Sequence, residues 1–389
     1  MTTVRVGLEV LARRRASLLA GRRVALLCHP ASVTRELAHA SDVVAGLRRV
    51  KLAALFAPEH GLAGAAQDHV SIGTERERAG GRPVWSLYGR RLAPTPAQLR
   101  GIDALVVDLQ DVGSRYYTYN WTMALAMKVA AESGVAVVVL DRPNPLGGIR
   151  LEGNIADPGY TSFVGLYPLP TRHGMTIGEV ARYLNGTFRI GCDLTVVPMD
   201  GWRRGMDWAA TGLPWVAPSP NMPTLDTARV YPGGCLIEGT NLSEGRGTTR
   251  PFELIGAPFL DGRRLADALT RRRLPGVIFR PVGFEPAFHK YRGRLCRGVQ
   301  VHVSDPARFR PFATYLALIA EARRQSPRFR WRRPPYEFEW TRLGIDLLCG
   351  GPEIREAIER GRSIASLERS WRPGLARFAA ARRPFLLYR

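Results

Sequence analysis

The stretch ALVVDLQDVGSRYYTYNWTMALAMKVAAESGVAVVVL, Ala104–Leu140, decides the fold class. It opens on Ala104–Asp108, an apolar run ending in an aspartate, and closes on the valine-rich Val135–Leu140. Apolar runs of this length without polar alternation belong to strands buried on both faces. Between them, Thr118–Ser133 is a helix-forming stretch, with Gly134 in the position that ends helices. A strand, a crossover helix and a second strand make a parallel pair.

Working outward, Val24–Cys28 and Leu52–Phe56 are two more strands of the same buried kind, and Leu194–Met199 adds another. Thr176 and Glu179 have the spacing of a capping box, so a helix is predicted from Thr176, with Gly186 as its stop. The expected class is α/β, a Rossmann-like doubly wound and mostly parallel sheet. Past it, Gly212–Arg250 is dense in Pro, Gly, Asn and Thr and reads as loop. Helices are predicted near Gly262–Leu274, Pro306–Ala322 and Pro352–Gly361, with strands at Val277–Val282 and Gly298–Val303. These predict two domains, a Rossmann-like one over residues 1–227 and a smaller C-terminal α+β one over 228–389, in keeping with a length of 389 residues.

The hydrophobic content of 45% and charged content of 23% exclude a disordered or collagen-like chain. No apolar stretch approaches the roughly 20 residues that span a bilayer, so no membrane insertion is expected. The net charge is +22, yet the lysines are only Lys51, Lys128 and Lys290. The arginines are scattered in short clusters such as Arg13–Arg15 and Arg271–Arg273, not gathered into a tract. Nucleic acid is therefore not the expected partner. Five widely spaced cysteines without Cys-x-x-Cys read as reduced thiols, with no zinc site and no disulfide framework. Arginines interrupt every apolar stretch of residues 1–27, leaving no visible secretory signal, and a cytoplasmic location is expected.

The turn after the first strand reads Cys28-His29-Pro30-Ala31-Ser32 and lacks the glycines of a dinucleotide fold. No lysine follows a glycine, so no phosphate-binding P-loop is present, and Gly-x-Ser-x-Gly and His-Glu-x-x-His are absent too. No cofactor and no metal is expected. What remains is carboxylate, histidine and asparagine chemistry on loops.

In open α/β sheets ligands sit beyond the carboxyl ends of the strands. Three such ends run into polar clusters: Pro58-Glu59-His60-Gly61, Asp108-Leu109-Gln110-Asp111-Val112-Gly113, and Asp141-Arg142-Pro143-Asn144-Pro145. Glu59 is the foremost candidate. It closely follows a buried strand, Gly61 permits a sharp turn after it, and partial desolvation is what a general acid needs. Asp108 and Asp111 form a second carboxylate pair, coordinate a metal, or make structural contacts, Asp111 capping the turn toward Tyr116–Tyr119 and Asp108 holding Arg115. Arg142 and Asn144, stiffened by Pro143 and Pro145, suit a ligand hydroxyl or local packing equally. His173, in Arg172-His173-Gly174, precedes a capped helix and serves either as a ligand contact, the reading preferred here, or as local packing. The tracts Pro218–Thr224 and Glu238–Arg250 are rich in amides, carboxylates and arginines, a mixture that suits sugars, and Trp202, Trp208, Trp215 and Tyr231 lie nearby in sequence.

Taken together, Ala57–Leu62, Asp108–Arg115, Asp141–Pro145, Phe163–Pro168, Arg172–Thr176, Pro218–Thr224 and Glu238–Thr248 resemble the exo-β-N-acetylmuramidase family, in order and across almost the whole chain. The resemblance implies a glycoside hydrolase that releases N-acetylmuramic acid from the non-reducing end of peptidoglycan fragments. Its active site would lie in the cleft between a Rossmann-like domain and the C-terminal domain that completes it. The family's catalytic carboxylate lands on Glu59, which would be the general acid, with Asp111 or Glu244 as the second group. If the substrate's own 2-acetamido group attacks instead, Asp111 would orient it. His60, Arg115, Arg142, Asn144, His173, Asn221, Asn241 and Thr248 are expected to bind the muramic-acid-containing glycan, and Arg246 or Arg250 to hold the lactyl carboxylate. One departure is Cys28-His29-Pro30, where family members commonly carry an Asn-containing turn. The alternative reading is a non-catalytic binding protein for cell-wall fragments, in which Glu59 only hydrogen-bonds a sugar.

Overall fold

The computed structural model describes residues 3–64, 77–79 and 81–389. The N-terminal part holds strands β1 (Arg23–Cys28), β2 (Lys51–Ala57), β3 (Glu77–Ala79), β4 (Arg82–Ser86), β5 (Ala104–Asp108) and β6 (Ala136–Leu140). After them come β7 (Glu152–Ile155), β8 (Pro170–Arg172) and β9 (Leu194–Val197), then β10 (Leu254–Ala257), β11 (Val277–Phe284) and β12 (Cys296–Val303). Among the described residues the main sheet has seven strands in the order β3-β4-β2-β1-β5-β6-β9. Six are parallel, and β3 runs antiparallel to β4 at one edge.

Both faces of this sheet are covered, as its unbroken apolar runs require. Along β1, Ala25 and Leu27 join one apolar cluster while Val24, Leu26 and Cys28 join another. In β6, Val137 and Val139 face the first and Val138 and Leu140 the second. The period-two alternation of a strand thus divides residues between two cores. From β1 the chain winds to one side through β2 and later returns to the other side through β5. The carboxyl ends of β1 and β5 therefore flank the reversal point, where such sheets open a crevice.

The C-terminal part carries the antiparallel sheet β10-β12-β11, with the helix Gly262–Arg271 against it and the helix Pro311–Gln325 packed on that helix. Its apolar residues Ile255, Val299, Phe312 and Leu316 belong to the same cluster as Val107 and Val139 of the main sheet. The chain then returns. The last long helix, Ile364–Arg382, packs on β7, and Tyr388 donates its hydroxyl to Asp141 Oδ2 at the carboxyl end of β6.

Two local expectations are corrected. The capped helix runs Ile177–Thr187, through Gly186 and not up to it. A Cβ at Gly186 would stand 2.5 Å from the Phe385 ring, so this glycine admits the C-terminal segment instead of ending the helix. Gly212–Arg250 is not loop throughout, because Leu225–Gly234 is helical and includes Pro232. Its apparent breakers serve close packing: a Cβ on Gly233 would lie 2.1 Å from the Pro311 carbonyl oxygen.

Candidate active site

Strand β2 delivers Glu59 to the carboxyl edge of the sheet. The turn that follows has two left-handed residues, His60 (φ 74°) and Gly61 (φ 78°), closed by the Gly61 amide donating to the Pro58 carbonyl at 3.1 Å. Glycine adopts this conformation freely, whereas a histidine held in it stores strain. Glu59 is 7% exposed, and its Oε2 accepts a 2.8 Å hydrogen bond from the Thr118 hydroxyl.

Glu59 and His60 form one wall of a cavity of about 40 Å³. A second wall is Tyr116–Tyr119, the segment leading from β5 into the Tyr119–Glu132 helix. The third is the Ser219–Met222 loop, anchored through the Pro218 carbonyl, which accepts from the Tyr119 hydroxyl (2.6 Å) and faces His29 Nδ1 (3.3 Å). The C-terminal part closes the far side with Tyr231, Glu238, Arg246, Phe252, Tyr336 and Glu337. Both parts of the chain thus contribute to one cavity.

Burial pushes the phenols of Tyr116, Tyr117, Tyr119, Tyr231 and Tyr336 above their ordinary range, so they remain neutral donors. Glu238 is tied down, with Oε1 2.7 Å from Arg246 Nη2 and Oε2 accepting from the Tyr336 hydroxyl at 2.9 Å. The guanidinium of Arg246 also lies 4.9 Å from the centre of the Phe252 ring. Neutral phenols, an amide, carboxyls and one arginine suit a polyol carrying a carboxylate.

Of the residues singled out in the sequence, Glu59, His60, Asn221 and Arg246 line the cavity. The others lie elsewhere and are engaged by the protein. Asp108 holds Arg142 and not Arg115, through contacts of 2.5 and 2.8 Å, and Arg142 also reaches the Val33 carbonyl. Arg115, fully buried, donates to the carbonyls of Asn154, Leu169 and Leu348, clamping distant segments together. Asp111 accepts from the Gly113 amide (2.7 Å) and from Asn120 Nδ2 (2.9 Å), the turn-capping alternative. His173 Nδ1 accepts from the Met175 amide, which assigns the proton to Nε2, 3.6 Å from Asp111. Asn144 spans the Met175 carbonyl and the Leu146 amide.

Asn241 pairs with the backbone of Arg328 and Arg330, the Thr248 hydroxyl donates to the Gly245 carbonyl, and the half-exposed Arg250 pairs with Glu253. Glu244 is 1% exposed and sits beside Lys290 (2.9 Å), His289 (3.1 Å) and Arg246 (3.6 Å). Burial alone would raise its pKa, but Lys290, His289 and Arg246 outweigh it and hold the carboxyl well below the usual range. Ringed by these three groups, Glu244 serves as their counter-ion and does not line the cavity.

The sequence reading named Tyr231 but missed Tyr116, Tyr117, Tyr119 and Tyr336, Glu238 as a wall residue, and Glu337. The Tyr116–Tyr119 cluster carried a signal, since three tyrosines in a polar loop after a buried strand need a purpose. Tyr336 and Glu337 carried none. Among the described residues no group of three or more His, Cys, Asp or Glu is placed to hold a metal, and no helix is long and apolar enough to cross a membrane. The five cysteines are buried free thiols.

Comparison with known proteins adds a family. Residues 24–226 match the model for the N-terminal part of the exo-β-N-acetylmuramidase NamZ, and residues 229–388 match that for its C-terminal part. A peptidoglycan β-N-acetylmuramidase, NamZ of Bacillus subtilis strain 168, is 46% identical over 386 residues, 99% of this chain and 91% of that protein. Two crystal structures of DUF1343 family proteins from Bacteroides fragilis NCTC 9343 share the fold. One has a TM-score of 0.89 at 34% identity, covering 100% of both chains. The other has a TM-score of 0.77 at 30% identity, covering 100% of this chain and 99% of that one.

Proposed function

The chain belongs to the exo-β-N-acetylmuramidase NamZ family, and from that premise we propose that Glu59 is the general acid with which it removes terminal N-acetylmuramic acid from peptidoglycan fragments. The protein is a glycoside hydrolase of peptidoglycan. One observation carries the finer reading: Glu59 and Arg246 line the same cavity from opposite parts of the chain. Glycoside hydrolysis needs a carboxylic acid to protonate the departing oxygen. Muramic acid differs from glucosamine by a lactyl carboxylate, and a guanidinium is the side chain best matched to it. The neutral phenols would hold the sugar hydroxyls.

The division near residue 228 that the sequence predicts remains part of this proposal, with the cleft lying between the two parts.

The deciding experiment incubates the protein with a chromogenic β-N-acetylmuraminide and its N-acetylglucosaminide counterpart, alongside Glu59→Gln. Release from the muraminide alone, reduced at least a hundredfold in the variant, supports the proposal. Undiminished release by Glu59→Gln would remove Glu59 from the role of acid. Binding of muramyl sugars without turnover would favour the binding-protein reading.

A further inference from the structure

Among the described residues, only two phenylalanine, tyrosine or tryptophan side chains are exposed, Phe338 at 47% and Trp340 at 73%. Both stand just beyond Tyr336 and Glu337, which line the cavity that Glu59 also lines. The backbones of Tyr336 and Glu339 exchange two hydrogen bonds of 2.9 Å, closing a tight turn around Glu337 (φ 47°) and Phe338 (φ 63°). A side chain at positive φ is disfavoured, and a phenylalanine half in water adds an apolar cost to that strain. Strain of this sort persists where the position of a side chain matters.

The ring of Phe338 is seated at the rim of the cavity. It packs edge-on to the rings of Tyr88 and Phe163, with centroids 5.7 and 6.1 Å away. Val164, next to Phe163, lines the cavity, as does Glu337, next to Phe338. Beyond the turn, Glu339 Oε1 accepts from the amides of Trp340 (3.0 Å) and Thr341 (2.8 Å) and from the Thr341 hydroxyl (2.6 Å). The backbone that carries Trp340 is thus held in place, although its side chain stands in solvent.

We infer that Phe338 and Trp340 are a stacking platform for the sugar chain from which the terminal residue is released. The inference rests on the hydrolase reading above and adds to it where the rest of the substrate lies. When the terminal sugar enters the cavity, the ring bonded to its C1 stays at the rim. A β-linked N-acetylhexosamine holds its substituents equatorially and its C–H bonds axially. Each face of that ring is therefore a small apolar surface with slightly positive hydrogens. The face of an aromatic side chain is apolar and carries negative charge, and so complements it. Exposed aromatics beside a polar cavity divide the work, the cavity reading hydroxyls and charge and the platform reading ring shape.

The test compares kcat/KM on two substrates. One is the disaccharide of N-acetylmuramic acid β-linked to N-acetylglucosamine. The other is 2,2,2-trifluoroethyl β-N-acetylmuraminide, which has no ring beyond the cleaved bond, and the readout is the ratio of the two values. Phe338→Leu keeps an apolar contact with Tyr88 and Phe163 but removes the flat face, and Trp340→Ala alters a side chain that stands in solvent. Each should lower the ratio about threefold and the double variant about tenfold, mostly through KM on the disaccharide. Phe338→Tyr, which restores the flat ring, should keep the wild-type ratio. A merely structural role would lower both values together and leave the ratio alone. An unchanged ratio in the double variant would overturn the inference and leave the hydrolase reading intact. Should that variant also lose self-association in sedimentation, the pair is an interface between copies of the chain. A wild-type protein inert on both substrates would remove the hydrolase reading, and this inference with it.

Discussion

The Thr118 hydroxyl donates to Glu59 Oε2 at 2.8 Å, joining a residue two positions past β2 to the one that precedes the Tyr119–Glu132 helix. The contact fixes the rotamer of a carboxyl that has little solvent to satisfy it. Thr118→Val keeps the volume and removes the donor. A buried acceptor left without its partner costs roughly 1–3 kcal/mol, and a mispositioned acid loses rate steeply. Thr118→Val is expected to lose about tenfold in kcat on the muraminide with an unchanged circular dichroism spectrum. Wild-type kcat would show that Glu59 is positioned by other means.

Asp141 makes the stability of the fold depend on pH in an unusual direction. Burial raises its carboxyl to about 7, more than the hydrogen bonds from Tyr388, Gly178 and Thr176 lower it. In the unfolded chain an aspartate ionises near pH 4. Between about pH 4 and 7 the folded state therefore holds a proton that the unfolded state has lost, and this group's contribution to stability declines as pH rises, by up to about 1.4 kcal/mol per unit. Asp141→Asn keeps the shape of the protonated form. Urea titrations should show the decline removed in the variant, and an identical pH slope would refute the assignment.

Gly233 permits the approach of two helices. Its absent Cβ would lie 2.1 Å from the Pro311 carbonyl oxygen and 2.5 Å from Tyr315 Cδ2, where the Leu225–Gly234 helix meets the Pro311–Gln325 helix. Backbone cannot yield as a flexible side chain can. Gly233→Ala should cost about 3 kcal/mol, near the upper end of ordinary overpacking, read as a lower urea midpoint at unchanged slope. A cost below about 0.5 kcal/mol would mean that the helices part freely.

The parallel sheet was legible because its signal is local: Ala104–Asp108 is a buried strand in sequence and in structure, with the same bounds. Glu59 was legible for a related reason, since a carboxylate just beyond a buried strand has few places to go. What could not be read locally depends on contacts between distant residues. Asp108 chose Arg142 over Arg115 because the end of β6 returns beside β5, while Arg115 turns toward Leu348, 233 positions away. Gly186 looked like a helix stop and Gly212–Arg250 like loop because the groups that need the space at Gly186 and Gly233, Phe385 and Pro311, come much later in the chain. Glu337 left no local mark, since it reaches the cavity wall from a turn whose central residues, Glu337 (φ 47°) and Phe338 (φ 63°), are left-handed without the usual Asn or Gly.

His29 opposes Asp141 in the same pH range, and this makes both testable together. It is fully buried at the end of β1, with Nε2 accepting from the Gln110 amide at 2.9 Å and Nδ1 facing the Pro218 carbonyl at 3.3 Å. That pair requires the neutral ring with its proton on Nδ1. Burial, reinforced by the nearby Arg142 charge, holds its pKa well below the ordinary value. An unfolded histidine binds a proton below about pH 6.5 that the folded ring refuses. The stability contributed by His29 is therefore fully present above that pH and lost as the solution becomes more acidic. Between about pH 5 and 6.5 the two groups have slopes of opposite sign that largely cancel. Relative to wild type, Asp141→Asn should turn the slope toward stability that rises with pH, and His29→Phe toward stability that falls with pH. His29→Phe should also raise KM for the muraminide more than it lowers kcat, because the Pro218 carbonyl anchors the loop that brings Ser219 and Asn221 to the cavity. Parallel pH profiles in the two variants would contradict the neutral-histidine assignment.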